Sequence, residues 1–168
     1  GFIGFHLAKL LLNEGHQIIG IDSMSNYYDV NLKIERNNIL KKYNSYKFLE
    51  KDISNIDNLK PLYKSKNIEY IVHLAAQAGV RYSIDHPKTY VDSNLVGTFN
   101  ILELSKKLKI KHLLIASTSS VYGSNKKYPF HENDPTDRQM SFYAATKKSN
   151  EMMAHSYSHI NKIPTTIM

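Results

Sequence analysis

Residues 1–22 read GFIGFHLAKLLLNEGHQIIGID, a helical pattern followed directly by a short apolar segment that ends in an aspartate. Apolar residues recur on one helical face of its first half, at Ile3, Leu7, Leu10 and Leu11. Gly15 stands where a glycine commonly ends a helix. Residues 17–21 then form a strand-like run that closes at Asp22. This stretch predicts a helix followed by a buried strand.

The same alternation continues along the chain. Further strand-like segments occupy residues 46–49, 68–75, 112–116 and 165–168. Helical patterns occupy residues 54–65, 91–108 and 141–160, while residues 23–44 predict a loop and a partly exposed helix. Alternating helices and apolar strands are typical of a parallel sheet covered by helices on both faces. We therefore predict an α/β fold with a Rossmann-type, doubly wound parallel sheet.

The pattern opens on a helix with no strand before it. In a doubly wound sheet of order 3-2-1-4-5-6 the first strand is central, so the strands at residues 17–21 and 68–75 would each lack an inner neighbour. The sequence also begins without Met, and residues 165–168 resemble a strand cut short. We expect residues 1–168 to be one partial domain, a fragment of a longer chain that is neither stable nor active alone.

The composition excludes several classes of protein. The 168 residues include no Cys, which excludes disulfide scaffolds, thiolate zinc sites and cysteine nucleophiles. No apolar run reaches membrane-spanning length and no signal-peptide pattern opens the sequence, so we expect a cytoplasmic protein with no membrane partner. The net charge is +7, but 19 scattered Lys and only 3 Arg favour a solvated surface over nucleic-acid binding.

The first four residues are typical of the end of a glycine-rich dinucleotide loop. Gly1 and Gly4 flank Phe2 and Ile3 directly before a helix, where backbone N–H groups can hold a pyrophosphate. Two glycines also occur at ordinary helix entries, so that alternative stays open.

Asp22 closes the following strand at the distance expected for a carboxylate that binds the adenosine ribose, about 20 residues on. An N-cap for the next helix is the alternative. Residues 23–26 contain no Arg to receive a 2′-phosphate, which favours NAD over NADP as the cofactor.

The spacing Tyr-x-x-x-Lys places an ammonium beside a phenol, lowering the phenol's pKa so that it can act as an acid and base. Three pairs match, Tyr43/Lys47, Tyr122/Lys126 and Tyr143/Lys147, and chance alone predicts roughly 1.4. Only Tyr143/Lys147 falls at the start of a long helical pattern, so we take that pair as the candidate.

A run of hydroxyl side chains, Ser117-Thr118-Ser119-Ser120, follows the strand at residues 112–116. Open α/β sheets bind ligands at the carboxyl edge of their strands. Hydroxyls there can hold a substrate hydroxyl or carbonyl and assist the tyrosine. A simple Ser/Thr turn is the alternative.

His155 and His159 are four residues apart on a helical pattern, the spacing of paired metal ligands. No carboxylate or Cys cluster accompanies them, so we predict no metal site and a partly exposed helix face instead.

Together these motifs resemble the extended short-chain dehydrogenase/reductase family of NAD-dependent epimerases and dehydratases, in particular its nucleotide-sugar epimerases. The resemblance covers essentially all 168 residues. It implies three catalytic residues, Thr118, Tyr143 and Lys147. It implies NAD contacts from Gly1, Phe2, Ile3, Gly4, Asp22, Asn26, Asp52, Ile53, Leu74, Ala75, Ala76, Asn94, Ser117, Tyr143 and Lys147. It implies sugar contacts from Gln77, Arg81, Ser119 and Ser120.

Three segments, residues 22–29, 77–83 and 143–148, most resemble the subfamily that epimerises UDP-glucuronate at C4. That likeness implies transient oxidation to a 4-keto sugar and return of the hydride, giving UDP-galacturonate. It also implies a homodimer and a role in polysaccharide precursor synthesis. The first loop glycine and the C-terminal substrate-binding portion of the family have no counterpart in the sequence.

Other readings on the same scaffold stay open. They are a UDP-glucose 4-epimerase, a uronate decarboxylase, a 4,6-dehydratase and a non-catalytic NAD-binding regulator. The dehydratases resembled here carry Asp-Glu after the Thr, and Ser119-Ser120 at that position weighs against dehydration.

Overall fold

The structure is a computed structural model that describes residues 1–65 and 67–168. The described chain divides into two units, Gly1–Asp52 and Ile53–Met168. Each unit contains its own parallel strands and helices. The organisation of residues 1–168 as a single partial domain stays a prediction.

The first unit alternates helices and strands. It contains helix α1 (Phe2–Asn13), strand β1 (Ile18–Asp22), helix α2 (Val30–Leu40) and strand β2 (Tyr46–Glu50). The two strands pair in parallel, from Ile18 opposite Tyr46 to Asp22 opposite Glu50. Asp22 therefore lies at the carboxyl end of β1, where parallel sheets commonly bind ligands.

Gly15 ends α1 in the way that its position in the sequence predicts. Its φ of +88° lies in the left-handed region that glycine adopts without strain. The N–H of Gly15 donates to the Leu12 carbonyl, and the N–H of His16 donates to the Leu11 carbonyl. This Schellman pattern satisfies carbonyls that the helix end would otherwise leave unpaired.

The second unit is built on a three-stranded parallel sheet. Strands β3 (Tyr70–His73), β4 (His112–Ile115) and β5 (Thr165–Ile167) pair in the order β3-β4-β5. The helices are α3 (Tyr82–Asp85), α4 (Pro87–Tyr90), α5 (Gly97–Leu108) and α6 (Phe142–Asn161). Parallel strands connected by helices confirm the predicted α/β, Rossmann-like fold class.

The structure differs from the sequence prediction between the strands. Residues 54–65 form two 3₁₀ turns, Ile56–Asn58 and Lys60–Lys64, in place of one helix. The Asn55 side chain caps the first turn, and Pro61 enters the second, where it has no N–H to continue a ladder of hydrogen bonds.

A second difference precedes α5. The helix predicted to begin at Val91 is preceded by α3 and α4, and residues Val91–Val96 form a π-helical segment. Pro87 divides α3 from α4 at the first position of α4. Mid-helix π segments often occur at functional sites, because they displace one residue from the regular helical register.

The core of the second unit is apolar around β4 and polar beside it. Leu102, Leu113 and Ile115 are buried between strand and helix. A set of polar side chains is buried as well: His73, Asn94, Thr98, Thr146, Lys147 and Asn150. Buried polar groups are costly unless they are hydrogen-bonded, so their partners identify a built arrangement.

Among residues 1–65 and 67–168, no helix is both long and apolar enough to cross a membrane.

Candidate functional site

The first unit places the glycine-rich residues at the start of α1. Gly1 is the N-cap, and no described side chain caps the helix. The N–H of Phe5 is the first to bond within the helix, to the Gly1 carbonyl. The amides of Phe2, Ile3 and Gly4 therefore lie in the uncapped first turn, an arrangement suited to an anion such as a pyrophosphate.

Asp22 is held by hydrogen-bond donors at the end of β1. Its carboxylate accepts from the Met24 N–H at 2.8 Å and from Lys33 Nζ at 3.0 Å. Burial acts to raise the pKa of Asp22, but these donors outweigh burial and lower the pKa below its ordinary value. Asp22 is therefore a carboxylate at neutral pH and a ready acceptor for hydroxyl donors.

The alternative reading of Asp22 as the N-cap of the next helix is wrong. Asp29 caps α2, since its side chain accepts from the Asn31 N–H. Lys33 on α2 is nearly buried and lies over the Tyr28 ring. Residues 23–26 contain no Arg, but Lys33 supplies a cation beside Asp22.

Two other residues named from the family resemblance lie in the first unit. Asn26 occupies the turn between β1 and α2, and Asp52 follows β2. Their cofactor contacts stay predictions.

In the second unit, the segment after β3 runs along the carboxyl edge of the sheet. Leu74, Ala75 and Ala76 follow the last residue of β3, and the two alanines are exposed. Ile53 is buried against Gly97, and its carbonyl accepts from Asn100 Nδ2 at 2.8 Å.

Asn94 connects this segment to α6. It is fully buried in the π-helical segment, its Oδ1 accepts from the Gln77 N–H at 2.8 Å, and its Nδ2 donates to the Gln77 carbonyl at 3.1 Å. The same Nδ2 donates to Thr146 Oγ1 at 3.0 Å, and Thr146 donates to the Tyr143 carbonyl at 2.8 Å. One amide therefore fixes the backbone after β3 against the first turns of α6.

Asn150 extends this network. In the amide orientation that satisfies both of its polar atoms, Nδ2 donates to the Asn94 carbonyl at 2.9 Å and Oδ1 accepts from Thr98 Oγ1 at 3.2 Å. Thr98 Oγ1 lies 2.9 Å from His73 Nε2. Burial, with a smaller effect from the Lys147 charge, lowers the pKa of His73 to about 3, so His73 is neutral.

Lys147 joins α6 to the end of β4. Its Nζ donates to the Ala116 carbonyl at 2.7 Å, and only 4% of the residue is exposed. Burial lowers the pKa of Lys147 to about 8, partly offset by the negative charge of Glu151. Burial disfavours the charged form of a lysine. A buried lysine whose pKa lies near neutrality is therefore typical of a functional site.

Glu151 makes a second connection to the same strand end. Ser117 Oγ donates to Glu151 Oε1 at 2.5 Å, and Lys148 Nζ donates to Glu151 Oε2 at 2.8 Å. Ala116 and Ser117, the first two residues after β4, are thus each bound by a side chain of α6.

Thr118 begins the 3₁₀ turn Ser119–Tyr122 as its N-cap. Its Oγ1 accepts from the Ser120 N–H at 3.2 Å, which leaves the hydroxyl proton able to donate elsewhere. Ser119 is exposed and Ser120 is half-buried. A turn therefore exists here, and the same turn presents hydroxyls at the carboxyl edge of the sheet.

Gly123 closes this turn at a position that excludes other residues. Its φ is +55°, and a Cβ at this position would overlap the carbonyl oxygen of Arg138. Only glycine fits both constraints.

Tyr143 lies in the first turn of α6, which Ser141 caps by accepting from the Ala144 N–H. Its ring packs edge-on against Tyr90, with 6.0 Å between the ring centroids. The Tyr90 hydroxyl lies 2.7 Å and 2.5 Å from the carbonyl oxygens of Ala78 and Gly79. Tyr90 thus connects the Tyr143 ring to the loop after β3.

The other two Tyr-x-x-x-Lys pairs lack this setting. Tyr43 donates to Asn13 in the first unit, and Tyr122 stacks on Phe130. Lys47 and Lys126 are both exposed, whereas Lys147 is buried. Of the three pairs, only Tyr143 and Lys147 lie on one helix and include a buried ammonium that is bonded to the end of a strand.

The two residues expected to contact the sugar from the loop after β3 lie in different surroundings. Gln77 is buried and its Nε2 donates to the Ala78 carbonyl at 3.1 Å. Arg81 is exposed at the start of α3. Gln77 shapes the loop in this structure, and the sugar contacts of both residues stay predictions.

Sequence reasoning missed several residues of this arrangement: Lys33, Tyr90, Thr98, Thr146, Asn150 and Glu151. A signal for two of them was present, since Thr146 and Asn150 fall with Ala154 on the buried face of α6. Polar residues on the apolar stripe of a helix indicate partners in the core. Lys33 shows the same signal on α2, where it shares the buried face with Asn37 and Leu40. Glu151 shows no such signal, because its bond to Ser117 joins two separate elements.

The sequence model of the GDP-mannose 4,6 dehydratase family matches residues 1–168. A probable UDP-glucuronate 4-epimerase of Rhizobium meliloti is 54% identical over 166 residues, which are 99% of this chain and 49% of that protein. A UDP-glucuronate 4-epimerase of Thermodesulfobacterium geofontis is 44% identical over 168 residues, which are 100% of this chain and 52% of that protein.

The structural comparison agrees. The crystal structure of a Bacillus cereus UDP-glucuronic acid 4-epimerase, in complex with UDP-glucuronic acid and NAD, superposes with a TM-score of 0.90 at 35% identity. The match covers 99% of this chain and 52% of that chain. The chain thus spans about half the length of the curated relatives it matches.

Proposed function

The chain belongs to the GDP-mannose 4,6 dehydratase family, and on that basis we propose that it carries the NAD-binding part of a nucleotide-sugar 4-epimerase acting on UDP-glucuronate. This agrees with the resemblance to extended short-chain dehydrogenases/reductases that the motifs predict. The proposed product is UDP-galacturonate. The relatives named above support the substrate, since they are UDP-glucuronate 4-epimerases.

The observation that carries the proposal is the setting of Lys147. It is a buried ammonium one helical turn after Tyr143, tied to the strand end that leads into Thr118. Acid–base chemistry on a sugar hydroxyl needs a phenol that gives up its proton near neutral pH, and an adjacent ammonium favours that ionisation.

Residues in each unit, taken separately, suit parts of an NAD molecule. In the first unit, the uncapped amides of α1 suit the pyrophosphate and the ionised Asp22 suits the ribose hydroxyls. In the second unit, the exposed backbone of Ala75 and Ala76 lies at the carboxyl edge of the sheet, where α/β folds bind cofactors.

The proposed mechanism is transient oxidation at C4. When bound, NAD would supply the hydride acceptor and donor that oxidation and re-reduction at the sugar C4 require. The Tyr143 phenolate accepts the proton of the C4 hydroxyl and later returns it to the 4-keto oxygen. Lys147 stabilises that phenolate, and the Thr118 hydroxyl donates to the reacting oxygen. No net oxidation results, and only C4 is inverted.

Related chemistries are less well supported. Dehydration needs an additional acid and base near the sugar, and this chain has Ser119 and Ser120 where the dehydratases that it resembles carry Asp-Glu. A non-catalytic regulator would not need a buried lysine beside the candidate tyrosine.

Family likeness also supports three finer proposals: a homodimer, a cytoplasmic location and supply of precursors for surface polysaccharide.

The test is a product assay on the gene product that carries this chain. It is incubated with UDP-glucuronate and NAD, and the sugars are resolved by NMR. We expect UDP-galacturonate without net NADH, a loss of at least about 100-fold in kcat for Tyr143→Phe, and near-normal turnover for the matched Tyr122→Phe. If UDP-glucose reacts and UDP-glucuronate does not, the substrate is UDP-glucose. If none of the sugar nucleotides reacts, the proposal is overturned.

A further inference from the structure

Glu151 is a half-buried carboxylate that the proposed mechanism does not use. Its side chain is 15% exposed and accepts from Ser117 Oγ through Oε1 and from Lys148 Nζ through Oε2. Desolvating a carboxylate is costly, and these two donors offset the cost by satisfying both oxygens.

Glu151 and Lys147 act on successive residues of one strand end. Lys147 binds the Ala116 carbonyl, while Glu151 binds the Ser117 hydroxyl. The two side chains are four residues apart on α6, so they lie on the same helix face. The strand end that leads into Thr118 is therefore held at two adjacent points by an ammonium and a carboxylate.

The negative charge of Glu151 opposes the effect of burial on Lys147. Burial lowers the pKa of Lys147 to about 8, and the negative charge of Glu151 raises it. His73, the other titratable group that senses Lys147, is neutral at pH 7 because its pKa is about 3.

Elements packed against α6 carry other charged and titratable groups, and most have their own partners. Asp92 in the π-helical segment pairs with Lys88 on α4, and Glu103 on α5 accepts from Tyr157 at 2.7 Å. The remaining groups on these elements are Tyr82, Asp85, Tyr90, Lys106, Lys107 and Tyr122. Within residues 1–65 and 67–168, Glu151 is the anion that acts on Lys147.

We propose that Glu151 is a positioning residue that acts through Lys147, fixing the Ser117 strand end and supplying the negative charge that keeps the Lys147 ammonium protonated. This inference rests on the proposed function, because the ammonium matters only if it serves Tyr143.

The test separates charge from hydrogen bonding. Glu151→Gln removes the charge and keeps an acceptor for Ser117, whereas Ser117→Ala removes the hydrogen bond and keeps the charge. We expect Glu151→Gln to move the alkaline limb of the kcat/KM profile to lower pH by about one unit, since a neighbouring opposite charge shifts a pKa by that order. Ser117→Ala should lower kcat and leave the position of the limb unchanged.

A direct titration makes the test independent of turnover. The gene product is labelled with [13Cε]lysine, and the Lys147 signal is assigned by its loss in Lys147→Met. Its titration midpoint should fall by about one pH unit in Glu151→Gln and stay in place in Glu103→Gln, a matched carboxylate on α5. An unchanged midpoint, or an equal shift in both variants, overturns the proposal.

A third variant covers the case in which Glu151→Gln does not fold. Lys148→Met removes the cation that partly neutralises Glu151, so the Lys147 midpoint should rise by a few tenths of a pH unit. A midpoint that stays in place or falls contradicts the proposal. If the wild type has no epimerase activity, the proposed function fails while this titration still decides the coupling.

Discussion

The ammonium of Lys147 lies 2.7 Å from the carbonyl oxygen of Ala116, so a buried side chain of α6 is bonded to the residue that follows β4. This bond orients one of the three donor sites of the ammonium toward the sheet. Tyr143 lies in the first turn of the same helix, one turn before Lys147.

Replacement of Lys147 by Met should abolish most activity. Without the ammonium, Tyr143 loses the charge that stabilises its phenolate, and kcat should fall at least about 100-fold. In the wild type, activity should fall as pH rises through about 8, because the protonated form of Lys147 is the active one and burial lowers its pKa to that value. A pH–rate profile measures both, with exposed Lys107→Met on α5 as the matched control.

Asp22→Asn should change the cofactor preference. The variant loses the carboxylate that accepts the ribose hydroxyls, and it frees the Lys33 ammonium now bound 3.0 Å away. We expect NAD binding to weaken about tenfold and the NADP/NAD affinity ratio to rise, because a freed cation can contact a 2′-phosphate.

Isothermal titration with each nucleotide measures this change. Asp29→Asn is the control, since Asn caps α2 as well as Asp does. The explanation fails if Asp22→Asn,Lys33→Met retains the same gain for NADP as the single variant.

Asn94→Ala should lower the free energy of unfolding by about 3 kcal/mol, since it leaves the Gln77 N–H and carbonyl without their buried partner. Chemical denaturation measures the loss. Asn125→Ala is the control, because the Asn125 side chain accepts an exposed hydrogen bond from the Lys127 N–H. Equal effects of the two substitutions would contradict the central position of Asn94.

His73 should make stability depend on pH. Its pKa is lowered from 6.5 to about 3 in the folded state, so between these values the unfolded chain binds a proton that the folded chain does not. The contribution of neutral His73 to the free energy of unfolding is fully present above pH 6.5. It is lost as pH falls toward 3, by about 1.4 kcal/mol per pH unit.

His73→Gln should remove this contribution, since Gln has no proton to gain and can still bond Thr98. Denaturant unfolding between pH 4 and 7 measures the slope, with exposed His155→Gln on α6 as the control. An identical slope in wild type and His73→Gln would show that His73 does not titrate in this way.

The sequence predicted the strands better than the segments between them. Apolar runs indicated β1, β3 and β4, because a parallel strand covered by helices is apolar on both faces. β2 and β5 were indicated by their places in the alternation of helices and strands. Within residues 82–96 the sequence predicts a helix only from Val91 onward. Pro87 divides the helical pattern before that point, and a π-helical segment gives no signal at the 3.6-residue period.

The site was predicted in the same uneven way. Context at the start of a long helix selects Tyr143 and Lys147 from three equal spacings, and the structure adds the burial of Lys147 and its bond to Ala116. Asn150 and Glu151 were missed, because their significance depends on Thr98 and Ser117, which contact them only across the folded unit.

The most direct test of the account follows the hydrogen at C4. The gene product is incubated with UDP-[4-²H]glucuronate and NAD, and the product is analysed by NMR and mass spectrometry. Transient oxidation with hydride return predicts UDP-galacturonate that retains deuterium at C4, with no net NADH. A product with protium at C4, a decarboxylated sugar or an unchanged substrate would contradict the proposed epimerase.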